Sequence, residues 1–291
     1  MGKQLNQQGI NSDTVLYGVL GDPIRHSRSP IMIGRAFREM GINAAYAAFR
    51  VEPQDLSAAV QGIRALGLGG ANVTIPHKIE VMRYLDEIDE GARVAGAVNT
   101  IVNKGGRLIG YNTDGIGYVR SLKNETGASL AGARVLMLGA GGAARGVAYA
   151  LAREGVSRIY IANRTLERAV ELADLIGEYT SAVGLRTADV GDIMREVDIV
   201  VNTTSVGMSP NVDETPLPAE LLHNRLIVSD LIYNPQETRL LREAALAGAT
   251  AHGGLGMFIY QGAYAFELWT GQPAPTDAMR EVVLESFNQT I

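Results

Sequence analysis

The chain has 291 residues, 46% of them hydrophobic and 20% charged, enough to bury a sizeable core and, at about 100–200 residues per domain, to form two domains. Its 26 Lys plus Arg stand against 31 Asp plus Glu for a net charge of −5, which argues against a general nucleic-acid binder because such proteins carry a basic footprint. With no cysteine it has no disulfide framework, thiolate metal site or cysteine nucleophile, and His26, His77, His223 and His252 are too scattered for a metal set, so no metal is expected.

In chain order, the opening MGKQLNQQGINSD is polar and reads as a short, loosely ordered arm. It lacks the apolar core of a secretion signal, and no later stretch reaches 18 uninterrupted apolar residues, so the expectation is a cytoplasmic protein with no membrane segment. VLYGVL (15–20) has a buried-strand pattern, and 30–40 reads as a helix stopped by Gly41. AAYAAF is the next strand, followed by a helix opened by Pro53 and closed at Gly67. GGANVT is a third strand, and Pro76 is suited to the first turn of a helix carrying Ile79, Met82, Leu85 and Ile88 at helical spacing. That reading puts Lys78 in a helix's first turn, where a cation is disfavoured by ~0.3–1 kcal/mol, so a reason beyond helix stability is needed for it. Two β-rich runs around Lys104-Gly105-Gly106 read as a hairpin. Strands alternating with helices predict a mainly parallel sheet with crossover helices.

From Asp114 a helix is expected to about Asn124, and then a second α/β series with strands at RVLML (134–138), RIYIA (158–162), DIVVN (198–202) and LIVSD (226–230). Helices are expected at 143–153, at 166–176 and after Pro235, then through GGLGMFIYQGAYAFELWTG, where Met257 and Gln261 share a face, and from about Pro275 to Phe287. The fold class is α/β, with two domains: 1–112, completed by the returning helices of 254–291, and 113–253.

RVLMLGAGGAARGVAYAL sets Gly139, Gly141 and Ala144 in a G-x-G-x-x-A arrangement between a strand and a helix, the context that makes this pattern a dinucleotide loop. Gly139 makes the turn, Gly141 admits the pyrophosphate, Ala144 permits close packing, and the helix N-terminus takes the phosphate charge. An NAD site carries Asp or Glu at the end of the next strand; here that strand ends in Asn163-Arg164-Thr165, with Arg168 a turn later. Two guanidinium groups suit a 2′-phosphate, favouring NADP, although Glu167 intervenes. By position, Thr203, Ser205, Leu231 and Tyr233 follow strand carboxyl ends, where ligands of open sheets bind. In HSRSP, Ser29 suits an N-cap, while Ser27 and Ser29, two apart in an extended segment, can face one carboxylate. Asp114 is read either as an N-cap or as a partner for Lys78, and Asn99 is a polar residue where a core strand prefers an apolar one.

Taken together, GDPIRHSRSP, ANVTIPHK, GAVNTIVN, GYNTDG, GAGGAAR, ANRT, NTTSVGM, DLIYNP and GMFIYQGAYAFELWTG resemble the shikimate dehydrogenase family, in order and over about residues 17–270. The resemblance implies a substrate domain and a Rossmann-like NADP domain separated by a cleft. It also implies reversible NADPH-dependent reduction of 3-dehydroshikimate to shikimate, a step of aromatic amino acid biosynthesis. Carried over, Lys78 and Asp114 correspond to the catalytic pair, and Ser27, Ser29, Thr74, Asn99, Tyr233 and Gln261 to substrate contacts. Gly139, Ala140, Gly141, Gly142 and Ala143 correspond to the pyrophosphate loop, Asn163, Arg164, Thr165 and Arg168 to the adenosine phosphate site, and Glu90, Leu231, Gly254 and Met257 to further cofactor contacts. Ile33-Gly34, where the family usually has His-Asn, and Tyr260, where it often has Gln, depart from the pattern. The implied partners are the small-molecule substrate and NADP, as a monomer or homodimer; a quinate/shikimate enzyme of dual specificity and a non-catalytic metabolite sensor are the alternatives.

Overall fold

A computed structural model of the chain describes residues 9–185 and 190–288. The first eight residues of the expected N-terminal arm lie outside the described residues. The chain separates into two compact units, one of residues 1–113 with 259–291 and the other of 114–258.

In the first unit the strands are β1 (Val15–Gly21), β2 (Ala44–Arg50), β3 (Gly70–Val73), β4 (Glu87–Ile88), β5 (Thr100–Lys104) and β6 (Arg107–Tyr111). They form one sheet in the order β2-β1-β3-β5-β6-β4. The β1/β2, β1/β3 and β4/β6 pairings are parallel, while β3/β5 and β5/β6 are antiparallel. β5 and β6 are the expected hairpin: Lys104 faces Arg107 across Gly105 and Gly106, whose φ of 61° and 92° meet the positive-φ demand of a two-residue turn. Helices α1 (Ser29–Glu39) and α2 (Leu56–Ala65) cross over between the first three strands. Leu56, Val60 and Ile63 pack with Leu20, Val73, Val81 and Ile101 into one core.

A short helix, α3 (Glu90–Ala95), and the two-residue β4 were not legible in the sequence. The expected helix after Pro76 does not form: residues 75–79 are a turn, followed by a 3₁₀ turn over Glu80–Tyr84. One tertiary bond takes a carbonyl that a helix would use, and local bonds close the rest of the turn. The Lys78 carbonyl accepts from Val98 N–H at 2.8 Å, and His77 N–H donates to the Thr74 carbonyl at 2.9 Å. Ile75 and Ile79 are accordingly 71% exposed rather than on a buried helical stripe.

In the second unit, α4 (Asp114–Thr126) leads into β7 (Arg134–Leu138), α5 (Gly142–Arg153), β8 (Arg158–Asn163), α6 (Leu166–Ile176) and β9 (Thr180–Gly184). β10 (Ile199–Asn202), β11 (Ile227–Asp230), α7 (Arg239–Leu246) and β12 (Thr250–His252) follow. All pairings are parallel, in the order β12-β11-β10-β7-β8-β9, the doubly wound arrangement of a dinucleotide-binding fold. Alternation along the strands feeds two cores. Val135, Met137, Ile159 and Ile199 pack with α4 and α5 residues, and Leu136, Leu138, Val200 and Val228 with α7 residues.

Two helices close the described chain, α8 (Leu255–Thr270) and α9 (Thr276–Asn288). The unit boundary falls inside α8, so Met257 belongs to the second unit and Gln261, one turn on, to the first. In the first unit Trp269 Nε1 donates to the Ile101 carbonyl at 2.9 Å, and its ring stands 5.0 Å from that of Tyr17. Ile33, one of the departures from the family pattern, is fully buried in that unit's interior. Among the described residues no helix is long and apolar enough to cross a membrane.

Within the second unit, α4 and α5 approach so closely that a Cβ on Gly115 would strike the Gly146 carbonyl. Alanine is the better helix former by about 0.8–1 kcal/mol, yet overpacking costs about 1–3 kcal/mol. Gly115→Ala is therefore expected to destabilise the protein, by a net amount on the order of 1 kcal/mol. Urea unfolding checks the sign, and a stabilised variant would refute the close approach.

Candidate active site

In the first unit the proposed substrate residues are split between loops at the ends of the strands, which carry Ser27, Thr74 and Asn99, and helices, which carry Ser29 and Gln261. Lys78 is half-buried on the turn after β3. His77 beside it is 2% exposed, and its Nε2 bonds the Val51 carbonyl at 2.7 Å, tying this turn to the end of β2. His77 thus anchors the turn that carries Lys78, a role sequence adjacency alone did not indicate. Thr74 N–H donates to the Leu20 carbonyl at 2.9 Å, which fixes the first residue of the same turn.

Ser29 is not an N-cap. It is the first residue of α1, and Arg28, with φ −93° and ψ −1°, occupies the cap position. Because Arg28 has a helical backbone, Ser27 and Ser29 are not two apart on an extended segment. They are joined instead by the Ser29 N–H donating to Ser27 Oγ at 3.3 Å. Arg28 turns to α9, its guanidinium 4.2 Å from the Phe287 ring centre and bonded to Ser286 Oγ.

A string of polar groups, half-buried at Ser29 and Tyr46 and buried from Asn72 onward, runs from there across the sheet. Ser29 bonds the Tyr46 phenol, which burial holds well above the usual tyrosine range despite that bond. Tyr46 Oη donates to Asn72 Oδ1 at 2.7 Å, and Asn72 Nδ2 donates to the Asn99 carbonyl at 3.1 Å and to Thr100 Oγ1 at 3.0 Å. Asn99 lies just before β5 rather than within it, and its Oδ1 accepts from Thr113 N–H at 2.8 Å. The string therefore fixes both Ser29 and Asn99, and ends at Thr113. Tyr46 and Asn72 lie in the strands read at AAYAAF and GGANVT, but nothing in those patterns showed their connection. Gln261 is half-buried on α8, and Glu90 is the exposed first residue of α3, in the first unit rather than with the other cofactor candidates.

In the second unit, Asp114 is the first residue of α4 and half-buried, so the simple N-cap reading does not describe it. Gly139 has φ 104°, a conformation that favours glycine, and a Cβ there would stand 2.7 Å from Thr203 Oγ1. Thr203 Oγ1 donates to the Leu138 carbonyl at 2.8 Å, locking together the loops after β7 and β10 at the point where strand order reverses. Gly141 is the N-cap residue of α5, and it, Gly142 and Ala143 are exposed, with nothing within 4 Å of a Cβ built on either glycine. Ala140 is half-buried, and Ala144 is fully buried against the core. These features leave open space at a helix start, where the first-turn N–H groups have no intrahelical acceptor and a pyrophosphate fits.

At the end of β8, Asn163 Nδ2 donates to the Thr165 carbonyl at 2.8 Å, shaping the loop. Arg164, Thr165, Glu167 and Arg168 are exposed. No carboxylate ends the strand, which fits a phosphate rather than a bare ribose hydroxyl pair. Farther along the sheet, Leu231 is half-buried, and Tyr233 is exposed and stacked on Phe258, ring centres 5.8 Å apart. Gly254 touches this loop so closely that a Cβ would strike the Leu231 carbonyl, while Met257 packs on the core of the same unit.

Asp230 shapes that loop from beneath. It is 1% exposed and accepts from Asn202 Nδ2 and Ile232 N–H at 3.1 Å each and from Thr238 Oγ1 at 2.8 Å. Burial pushes its carboxyl up to about 6, against the pull of those bonds. A carboxyl raised above its unfolded value binds its proton more tightly in the native state. Its contribution to stability is therefore full below about pH 4 and falls as pH rises through about 6, by an amount on the order of 1–3 kcal/mol. Asp230→Asn keeps the shape, its Nδ2 donating to the second lone pair of Thr238 Oγ1, which already accepts from Leu241 N–H at 3.4 Å, and removes the titration. The variant is expected to gain stability relative to the parent on going from pH 4.5 to pH 7, read by urea unfolding at both values; a constant difference would overturn the assignment.

Three family models match the chain: a shikimate dehydrogenase substrate binding domain over 19–101, a shikimate/quinate 5-dehydrogenase over 121–215, and a shikimate 5′-dehydrogenase C-terminal domain over 254–284. The shikimate dehydrogenase (NADP+) of Geobacillus kaustophilus is 50% identical over 274 residues, covering 94% of this chain and 99% of that protein. A crystal structure of a shikimate dehydrogenase in complex with NADP+ is 46% identical, with a TM-score of 0.86 over 96% of this chain and 97% of that one. The Listeria monocytogenes shikimate 5-dehydrogenase, solved with shikimate and NAD, is 40% identical, with a TM-score of 0.90 over 94% and 98% of the two chains. With identity of this order along nearly the whole length, and with the glycine loop and the Lys78 turn in place, the chain belongs to the shikimate dehydrogenase family.

Proposed function

We propose that this protein is an NADP-dependent shikimate dehydrogenase that reversibly reduces 3-dehydroshikimate to shikimate. The observation that carries the cofactor half is the end of β8, where Arg164 and Arg168 stand exposed and no carboxylate occupies the ribose position. In this reading 114–258 is the NADP unit and 1–113 with 259–291 the substrate unit. The protein acts in the cytoplasm, with no nucleic-acid or membrane partner, as a monomer or homodimer.

Gly139, Ala140, Gly141, Gly142 and Ala143 receive the pyrophosphate, and Asn163, Arg164, Thr165 and Arg168 the adenosine phosphate. Glu90, Leu231, Gly254 and Met257 complete the cofactor contacts. When bound, NADPH supplies a hydride. Ser27 and Ser29 donate to the substrate carboxylate, and Thr74, Asn99, Tyr233 and Gln261 orient its hydroxyls. Reduction of a ketone builds negative charge on its oxygen, which the Lys78 ammonium stabilises and protonates, and in the reverse direction Lys78 takes that proton. Asp114 is its proposed counter-charge.

Initial rates on shikimate and quinate, each with NADP+ and NAD+, test this reading. Fast turnover with shikimate and NADP+ is expected. Comparable quinate turnover would make the enzyme dual-specific, and absence of turnover on either acid would leave only a binding protein.

A further inference from the structure

The second unit contains a buried hydrogen-bonded string that none of the roles above uses. His252 ends the three-residue strand β12 and is 3% exposed. Its Nδ1 stands 2.8 Å from Ser229 Oγ on β11, and its Nε2 2.8 Å from Ser121 Oγ on α4. Ser229 and Ser121 are themselves fully buried. Ser121 Oγ in turn donates to Glu125 Oε1 at 3.2 Å.

The Ser121 hydroxyl donates to the Glu125 carboxylate, so Ser121 Oγ accepts from His252 Nε2–H. Glu125 Oε2 also stands 3.7 Å from Nε2, so the carboxylate closes the string on that side of the ring and Ser229 Oγ closes it on the Nδ1 side. The Tyr118 ring meets the imidazole edge-on, with ring centres 6.2 Å apart, and limits its rotation.

The string ends on backbone that bears cofactor candidates. A Cβ on Gly256 would strike Ser121 Oγ and Glu125 Oε1, so the first turn of α8 rests directly on the far end. Gly254 lies against the Leu231 carbonyl, and its N–H donates to the Ile232 carbonyl at 3.2 Å. Among the described residues β12 pairs only with β11, over three residues, and is followed by Gly253 and Gly254. A strand this short at a sheet edge followed by two glycines is weakly held by its own backbone. The side-chain string supplies the missing constraint.

We propose that Ser229–His252–Ser121–Glu125 is a positioning device for the cofactor site, holding Gly254 and Met257 at the start of α8 against the loop that carries Leu231. His252 is a positioning residue, since it acts through that backbone. The inference deepens the proposed NADP site and rests on that reading.

The test uses the full chain and three variants. His252→Leu removes both bonds, His252→Gln keeps one donor and one acceptor, and Ser121→Ala cuts the link to Glu125. NADP+ affinity is read by titrating tryptophan fluorescence or heat without shikimate, and KM values for NADP+ and shikimate by initial rates. His252→Leu is expected to weaken NADP+ by about 10-fold, the equivalent of one to two lost buried hydrogen bonds, with the shikimate KM within about twofold. Ser121→Ala gives a smaller loss of the same kind, and His252→Gln restores most of the affinity. A purely structural role would lower the melting temperature of all three alike with no split between the two KM values. Unchanged NADP+ affinity in folded Ser121→Ala and His252→Gln, together with an unaffected or unfolded His252→Leu, would overturn the proposal. The NADP+ titration needs no turnover, so a parent protein that binds NADP+ but does not oxidise shikimate would sink the proposed activity and leave this device to be judged on binding alone.

Discussion

Lys78→Ala is expected to lower kcat by about two to four orders of magnitude, the range that removal of a positioned general acid–base commands. The shikimate KM should move little. The turn itself does not depend on the lysine side chain: its geometry is fixed by the Lys78 carbonyl accepting from Val98 and by His77 bonding the Val51 carbonyl. Deleting an ammonium therefore leaves Thr74 where it was, and the loss falls on the chemical step. A kcat and KM that fall and rise together would instead mean that the turn had collapsed. Pre-steady-state rates with 4-deuterated NADPH separate the cases, because a slowed chemical step exposes a larger isotope effect. Near-normal turnover would remove Lys78 from the mechanism. Its half-buried setting matters to this prediction, since an ammonium partly out of water interacts with a developing alkoxide more strongly than one in bulk solvent.

Arg164→Ala is expected to raise the KM for NADP+ by about 10- to 100-fold, on the basis of about 1.5–3 kcal/mol for a hydrogen bond between charged groups. The KM for NAD+, which lacks the phosphate, should stay within about twofold of the parent value. Arg164 is exposed at the loop after β8, and Arg168 follows in the first turn of α6, so truncating Arg164 leaves no buried cavity and little effect on folding is expected. Initial rates with both cofactors give the ratio directly. Equal losses would show that Arg164 shapes the loop rather than reading the phosphate, and Arg168→Ala would then carry the discrimination. Raising the salt concentration should weaken NADP+ in the parent more than in the variant, since an exposed charge pair is screened.

The sequence by itself determined the four central strands of the second unit and the helices between them. β7 and β8–α6 fall where RVLML, RIYIA and 166–176 place them, within a residue, because strands buried on both faces read as unbroken apolar runs and a glycine-rich turn between strand and helix has a distinct composition. The Gly105-Gly106 hairpin was equally legible, since positive φ at two successive positions leaves few other residues. The edge strands were not: β4 and β12, of two and three residues, are too brief for any periodicity, and β9, TSAVG, is half-buried throughout and carries no buried apolar run. The local pattern after Pro76 pointed to a helix, and tertiary hydrogen bonds, from Val98 N–H to the Lys78 carbonyl and from the His77 ring to the Val51 carbonyl, decided for a turn. Ser29 in α1 rather than at its cap followed likewise from the conformation of Arg28. Sequence identified Asn99 as a polar residue where a core strand prefers an apolar one, but gave no such signal for Asn72 or His252. Their partners are up to 131 residues away along the chain, and only the folded chain brings such groups within hydrogen-bonding distance.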